Sequence, residues 1–401
     1  MKVNMKSNRF LFTLGIFILL VSGCQSKYPG MPAMYHSLLD SALVKAGSNA
    51  ADIERVLTDI PKDQKEAAAF LIAYMPEKDL KTLSAEFIAD QIHGAWKVRN
   101  EFDWCRNLPD SIFLNEVLPY CSLDEKRDNW REDFYEKFAP LVRNCKNAYE
   151  AIDSVNRNIK NVVNVEYNTK RSVVNISPFQ AMNENMATCT GLSFLLVDAF
   201  RSVGIPARIA GTPLWTNMRG NHSWVEVWID GKWYFTEYYP DKLNKSWFLA
   251  DAGKADPQKP IHWIYAASYK PGDTYFQRVW DRDAKDINAV NVTDRYIQLY
   301  QEQLQRLKDD ELLIDVVLYK KPVDESAANR VHEKVTVWNG DKQVDFGFTP
   351  LSTDDLNKFL KFRLKKNTAY HLEFAGANGE TKKQTLETGD KSEEVIKLVQ
   401  E

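Results

Sequence analysis

The chain has 401 residues, 44% of them hydrophobic and 27% charged, the balance of a globular protein with room for two or three packed domains and not of a disordered one. Its formal net charge of −3 supplies no basic footprint, so no nucleic-acid partner is expected. The eleven tryptophans and seventeen tyrosines belong mostly in cores, where large aromatic side chains bury the most area.

At the N-terminus, Lys2, Lys6 and Arg9 precede the apolar run Phe10 to Val21 (FLFTLGIFILLV). That run is shorter than the roughly 20 residues of a membrane span and fits the hydrophobic region of a signal peptide. It ends in Val21-Ser22-Gly23-Cys24, which resembles the bacterial lipobox, and Gln25 follows. The resemblance implies cleavage before Cys24 and acylation of its thiol. Residues 1–24 are then a lipoprotein signal peptide, and the mature protein is exported and lipid-anchored to a bacterial membrane, the outer membrane favoured.

Residues 25–48 are expected to be a tether. From 49 to 165 the pattern is helical: Ala51 to Leu57, Lys65 to Ala73 and Leu80 to Val98 space apolar residues three and four apart, and Asp128 to Ala151 continues in that style. Pro61 and Pro76 punctuate the run. Residues 166–265 change texture to short β-type stretches: Ala207 to Ile209, Ser223 to Ile229 and Trp233 to Thr236. The last two are joined by Asp230-Gly231, a strong hairpin signal. Residues 266–310 read as a loop-helix connector, with Tyr296 to Leu307 helical. From 311 to 401 the chain predicts a small antiparallel β-sandwich, with runs at Leu312 to Tyr319, Lys334 to Trp338, Gln343 to Phe348, Phe359 to Leu364 and Thr368 to Phe374.

Beside Cys24 there are four cysteines: Cys105, Cys121, Cys145 and Cys189. Export permits disulfides, and Cys105 with Cys121 is a possible pair. With no CxxC and no HExxH, the spacing implies no metal and no cofactor.

Cys189 sits in Met186-Ala-Thr-Cys-Thr-Gly-Leu-Ser-Phe-Leu-Leu196, just where helical apolar spacing begins (Leu192, Leu195, Leu196, Ala199, Val203). Gly204-Ile205-Pro206 ends that helix. A thiol at a helix N-terminus meets free backbone N–H groups and the positive end of the dipole, which favour a thiolate. Among the six histidines, His222 opens the alternating run His222-Ser-Trp-Val-Glu-Val-Trp228, which suits a strand able to bring an imidazole to that thiol. The next strand, Gly231-Lys-Trp-Tyr-Phe-Thr-Glu237, ends in a carboxylate that could orient the imidazole, and Asp241 is the alternative. Trp215 and Asn221, in the loop before His222, are candidate substrate-binding residues.

The order cysteine at a helix start, histidine on a strand, acid on the following strand resembles the transglutaminase-like superfamily of papain-related cysteine enzymes. The matching residues are Cys189-Thr190-Gly191, Val203 to Arg208, His222 to Val227 and Gly231 to Tyr234, with weaker likeness in Ile72 to Pro76 and Ala289 to Arg295. The resemblance implies an α+β fold: a transglutaminase-like (papain-like) core with a helical N-terminal region and the C-terminal sandwich. It also implies Cys189 as nucleophile and His222 as general base and acid; Glu237 stands where the family usually has aspartate. The chemistry so implied is acyl transfer on amides through a thioester, hydrolysis of a peptide or glycopeptide being favoured because water is the abundant acceptor. Two alternatives stand beside it: a cross-linking transglutaminase, and a non-catalytic peptide- or glycan-binding lipoprotein with a decayed triad.

Overall fold

In the N-terminal half, periodic apolar residues fold into α1 (His36–Ala46), α2 (Ala50–Asp59), α3 (Lys65–Ala73), α4 (Ala85–Glu101), α5 (Arg131–Val142) and α6 (Ala148–Val163). The computed structural model describes residues 27–240 and 242–401; the apolar N-terminal run, Cys24 and Asp241 lie outside the described residues. Side-chain caps set two of the helix starts. Ser84 accepts from the Phe87 N–H at 3.2 Å and Asn147 from the Glu150 N–H at 3.0 Å, each satisfying a donor that the first turn leaves free. The cap at Asn147 also divides the single helical run expected over 128–151. Residues 27–48 are not a tether: Tyr28, Met31, Tyr35, Leu39 and Ala42 are buried in the same core as α2 to α4. Their apolar spacing is sparse, and only the neighbouring helices supply the surface that covers it.

Helix α7 (Pro178–Glu184) leads to α8 (Cys189–Ser202), which occupies the centre. Every residue of α8 from Thr190 to Ser202 is buried. Its Arg201 guanidinium donates to the carbonyls of Glu116, Pro119, Cys121 and Ala207. Arg131 of α5 donates to the carbonyls of Val117, Leu118 and Pro119. These two buried side chains satisfy an irregular stretch that could not otherwise run through the interior.

A short parallel pair, β1 (Glu166–Tyr167) with β2 (Met186–Ala187), brackets α7. The main sheet has six strands in the order β5-β4-β3-β6-β8-β7, every neighbouring pair antiparallel. They are β3 (Ala207–Thr212), β4 (His222–Ile229), β5 (Lys232–Thr236), β6 (Tyr265–Ala267), β7 (Thr274–Tyr275) and β8 (Asn288–Asn291). The core therefore extends past 265 into the stretch expected as a connector. Strands of two to four residues are too short to show alternation, and pairing, β6 with β3, β8 with β6 and β7 with β8, is what makes them strands. The helix expected near 296 is α9 (Thr293–Gln305).

The C-terminal region is a sandwich of two sheets. One, ordered β11-β10-β13-β14, contains β10 (Lys334–Asn339), β11 (Lys342–Phe348), β13 (Ala369–Ala375) and β14 (Thr381–Glu387). The other, β12-β9-β15, contains β9 (Glu311–Tyr319), β12 (Leu360–Lys365) and β15 (Glu393–Val399). Its core holds Leu312, Ile314, Val316, Val335, Val337, Phe362, Leu372 and Leu398. The sandwich is not antiparallel throughout, because β15 runs parallel to β9. The polar sequence of β14 (TKKQTLE) buries only Leu386, which hides it from a hydrophobicity reading.

Cys105 and Cys121 are free and buried, not paired. Burial pushes both thiols up, Cys105 to about 12. Cys105 packs against Gly204, whose φ of +73° ends the α8 turn and where a Cβ would come within 2.6 Å of the cysteine Cβ. Denatured without reductant, the chain from residue 27 onward should expose four reactive thiols to a colorimetric thiol reagent. A count of two would mean that Cys105 and Cys121 are bridged.

Candidate active site

The approach to Cys189 is built from local rules. Ser177-Pro-Phe-Gln180 forms a capping box, with proline at the first helical position where its missing N–H costs nothing. Asn185 stops α7 in the left-handed conformation at φ 54°, which asparagine tolerates. Met186 and Ala187 then pair with Glu166 and Tyr167, Thr188 is extended, and Cys189 is the first residue of α8. Gly191 seats this first turn: a Cβ there would lie 2.6 Å from Ile176 Cγ2 and 2.9 Å from the Ala187 Cβ.

His222 is the first residue of β4, opposite Thr212 of β3. The neighbouring pair is Gly211 with Ser223, and a Cβ on Gly211 would come within 2.7 Å of the His222 carbonyl. The strands can approach this closely at the histidine because that residue is glycine. Thr190 and Ser223 hydroxyls meet at 3.2 Å, joining the first turn of α8 to β4. The hairpin to β5 turns through Asp230 (φ 49°) and Gly231 (φ 85°), both positive as a type I′ turn requires. It sets Val225 opposite Thr236, so Glu237 emerges one residue later, at the His222 end of β4.

There His222 Nε2 lies 2.8 Å from Glu237 Oε1. The second carboxylate oxygen, Oε2, accepts from the Ser246 hydroxyl. Ser246 is held close because Asn244 pairs with the backbone of Phe235 through its own N–H (3.0 Å) and its side-chain oxygen (2.9 Å). Trp247, Phe248 and Trp224 pack around the imidazole with ring centroids 4.8, 5.2 and 5.8 Å away. Water is thus kept from one side of the His222–Glu237 pair, which strengthens it.

With Nε2 engaged by Glu237, the other ring nitrogen serves Cys189. Burial alone would raise the thiol, but the hydrogen bond and charge of His222, helped by the Ser223 N–H, bring it below its ordinary value. Burial alone would lower the imidazole, but Cys189 and Glu237 push it up to about 10. The two shifts have one cause: a thiolate and an imidazolium stabilise each other at a helix N-terminus.

Residues 136–238 match the Transglutaminase-like superfamily. The chain carries a transglutaminase-like domain. The matched stretch begins within α5 and ends just past Glu237, so it contains Cys189, His222 and Glu237. A solved structure of a candidate cysteine protease from Cytophaga hutchinsonii is 23% identical over 35% of this chain and 45% of that one, at TM-score 0.27. The structure of red sea bream transglutaminase is 9% identical over 65% of this chain and 57% of that one, at TM-score 0.25. The chain thus spans about half the length of each. No curated protein matches the sequence.

A narrow groove lies beside the histidine, lined by Thr190, Asn221, His222, Ser223, Arg278 and Trp280, among others. Asn221 is therefore at the groove. Trp215, expected to wall it, is only 2% exposed and stacks on Trp224 and Phe248 behind the histidine, so it supports the ring cluster instead. A separate hollow of about 240 Å³ lies between α2 and α4 (Arg55, Ile60, Glu86, His93) and holds none of these groups. Arg208, considered above only as part of the family pattern, is buried, bonded to Glu226 at 2.9 Å and stacked over Trp233. Trp280, 44% exposed, and Val279 form the groove's apolar rim, and the sequence reading missed them because their segment has no periodicity. It missed Ser246-Trp247-Phe248 too, although that polar-aromatic cluster so soon after Glu237 was a readable signal.

Alkylation of Cys189 by iodoacetamide follows from these shifts. The thiolate forms above its lowered pKa and the imidazolium persists to about 10, so the ion pair fills the window between. The rate should stay high well below the ordinary thiol midpoint of about 8.5. It should fall only as the thiolate is protonated at lower pH. His222→Ala should carry the midpoint to about 8.5 or above, because burial then raises the thiol unopposed, and Glu237→Gln should move it part of the way. A wild-type midpoint at the ordinary value would contradict the pair.

Proposed function

We propose that the protein is a cysteine-dependent amidase or peptidase that cleaves a peptide or glycopeptide through a thioester on Cys189. One observation carries this reading: a single imidazole whose two nitrogens are claimed by a carboxylate on one side and by a helix-terminal thiol on the other. In the proposed cycle, the Cys189 thiolate attacks the amide carbonyl carbon. The negative charge that moves to the carbonyl oxygen faces the free N–H groups of the first turn of α8. His222, protonated, gives its proton to the departing amine as the C–N bond breaks, leaving the acyl group on sulfur. It then takes a proton from the incoming water, which attacks the thioester and releases the acid and the thiolate. Glu237 holds the ring in the orientation that both transfers need.

Glutamate in place of the family's aspartate is compatible with this role, since its Oε1 reaches the imidazole at hydrogen-bond distance. Water is proposed as acceptor on its abundance, and the lipid anchor at Cys24 would place the enzyme on the membrane where external peptides pass.

The test is a panel of peptides and glycopeptides presented to the purified protein, with acid quenching and intact-mass measurement. Active substrates should leave an acyl adduct on Cys189 and a released amine, both absent with Cys189→Ala. Glu237→Gln should slow turnover by about two orders of magnitude with a smaller change in KM. Binding without an adduct, across the whole panel, would favour a non-catalytic binding protein.

A further inference from the structure

Val279 and Trp280 stand at the tip of a tight turn in the connection from β7 to β8. Phe276 extends the pairing of those strands, its N–H donating to the Ile287 carbonyl at 2.9 Å. Arg278 and Asp281 then close the turn as an antiparallel bridge. The Arg278 N–H donates to the Asp281 carbonyl at 3.3 Å, and the Asp281 N–H to the Arg278 carbonyl at 3.1 Å. The two residues between them are left at the surface, Val279 37% and Trp280 44% exposed.

One side chain holds this turn in place. The buried Arg278 guanidinium grips Asp286 with two nitrogens, Nη1 to Oδ2 at 3.0 Å and Nη2 to Oδ1 at 2.9 Å. It also lies 3.3 Å from the carboxylates of Asp281 and Asp124. Asp286 belongs to the far end of the same connection, and Asp124 adjoins Leu123, itself a lining residue of the groove. A bidentate arginine–carboxylate contact fixes geometry as well as adding energy. The exposed indole is therefore presented from a braced turn.

The groove beside His222 has two kinds of lining. Asn221, His222 and Ser223 are polar, whereas Leu123, Phe276, Val279 and Trp280 are apolar. Leu123 and Phe276 are buried, so the apolar surface open to a ligand is the rim formed by Val279 and Trp280. Because the groove is narrow, a substrate side chain gains most by lying along that rim. There it removes apolar area from water, and a flat ring gains further by packing on the indole. A sugar stacked on the indole would need partners for the hydroxyls at its edge. The neighbouring lining from Val279, Phe276 and Leu123 is hydrocarbon, and the Arg278 guanidinium is taken by carboxylates.

We propose that Trp280, with Val279, determines specificity by receiving an apolar, preferably aromatic, side chain of a peptide substrate beside the reacting amide. The choice of substrate rests on the acyl-transfer reading above; the attraction of the rim for an apolar group attached at Cys189 does not.

Two measurements test this on the full chain with Trp280→Ala and Trp280→Phe, at a surface position where truncation opens no buried cavity. First, Cys189 is modified with benzyl and phenylethyl methanethiosulfonate and with their methyl analogue. All three are neutral, and the ratio of aromatic to methyl rate cancels any change in thiol nucleophilicity. For at least one aromatic reagent the ratio should fall by about fivefold in Trp280→Ala and stay within about twofold of the wild type in Trp280→Phe. A fall of less than about twofold with both reagents in Trp280→Ala would overturn the proposal. Second, matched peptides carry phenylalanine or serine next to the reacting amide. The wild type should prefer phenylalanine by about tenfold in kcat/KM, chiefly through KM. Trp280→Ala should lose that preference while still cleaving the serine peptide, and Trp280→Phe should keep most of it. An undiminished preference in Trp280→Ala would overturn the proposal. So would a loss of turnover confined to a glycopeptide, which would mark the indole as a sugar platform. Should the wild type cleave no peptide or glycopeptide, the acyl-transfer reading fails, and the reagent ratio still decides whether Trp280 receives an apolar group at Cys189.

Discussion

The hydrogen bond between His222 and Glu237 is the contact around which the rest of the site is arranged. An imidazole can serve a thiol only if its far nitrogen is held, and holding it requires a carboxylate at the same depth in the protein. The 2.8 Å contact meets that requirement through a chain of local causes. The Asp230-Gly231 turn sets the register that carries Glu237 to the His222 end of β4. Asn244 then folds the following segment back so that Ser246 occupies the second carboxylate oxygen. The surrounding rings of Trp224, Trp247 and Phe248 lower the local dielectric, which makes each of these polar contacts stronger and any loss of one more costly.

The same economy explains the two glycines of the site. A thiol at a helix N-terminus and an imidazole on a strand meet only if helix and sheet come closer than side chains normally allow. Gly191 lets α8 settle on Ile176 and Ala187, and Gly211 lets β3 run against the His222 carbonyl. Behind them, the buried guanidinium groups of Arg131 and Arg201 tie the irregular 116–121 segment to α5 and α8, so the helix bearing Cys189 is fixed from the side away from the cleft. Fixing both reacting groups in advance reduces the reorganisation that the chemistry must drive.

The sandwich is more than an appendage. It makes polar contacts with the core at Tyr300 and Glu393, at Lys254 and Glu393, and at Asn357 with the loop preceding His222. The last contact couples the position of a C-terminal loop to the mouth of the groove.

The sequence by itself determined those parts of the protein that depend on neighbours along the chain. Helical spacing after Cys189, alternation after His222 and the Asp-Gly hairpin are short-range signals, and each corresponds to an observed element: α8, β4 and the β4–β5 turn. The candidate residues Cys189, His222 and Glu237 were legible because their order along the chain follows from those elements. What depended on distant partners was not legible. Residues 27–48 read as a tether because their few apolar side chains find cover only on α2 to α4, and β6 to β8 read as loop because two to four residues become a strand only beside a neighbouring strand. Trp215 gave no local sign that it stacks on Trp224 behind the histidine instead of facing the groove. Asn357, over a hundred residues from Arg219 in sequence, could meet it only by the docking of one domain on another. Local pattern records which face of an element is apolar; the tertiary structure decides what that face is set against.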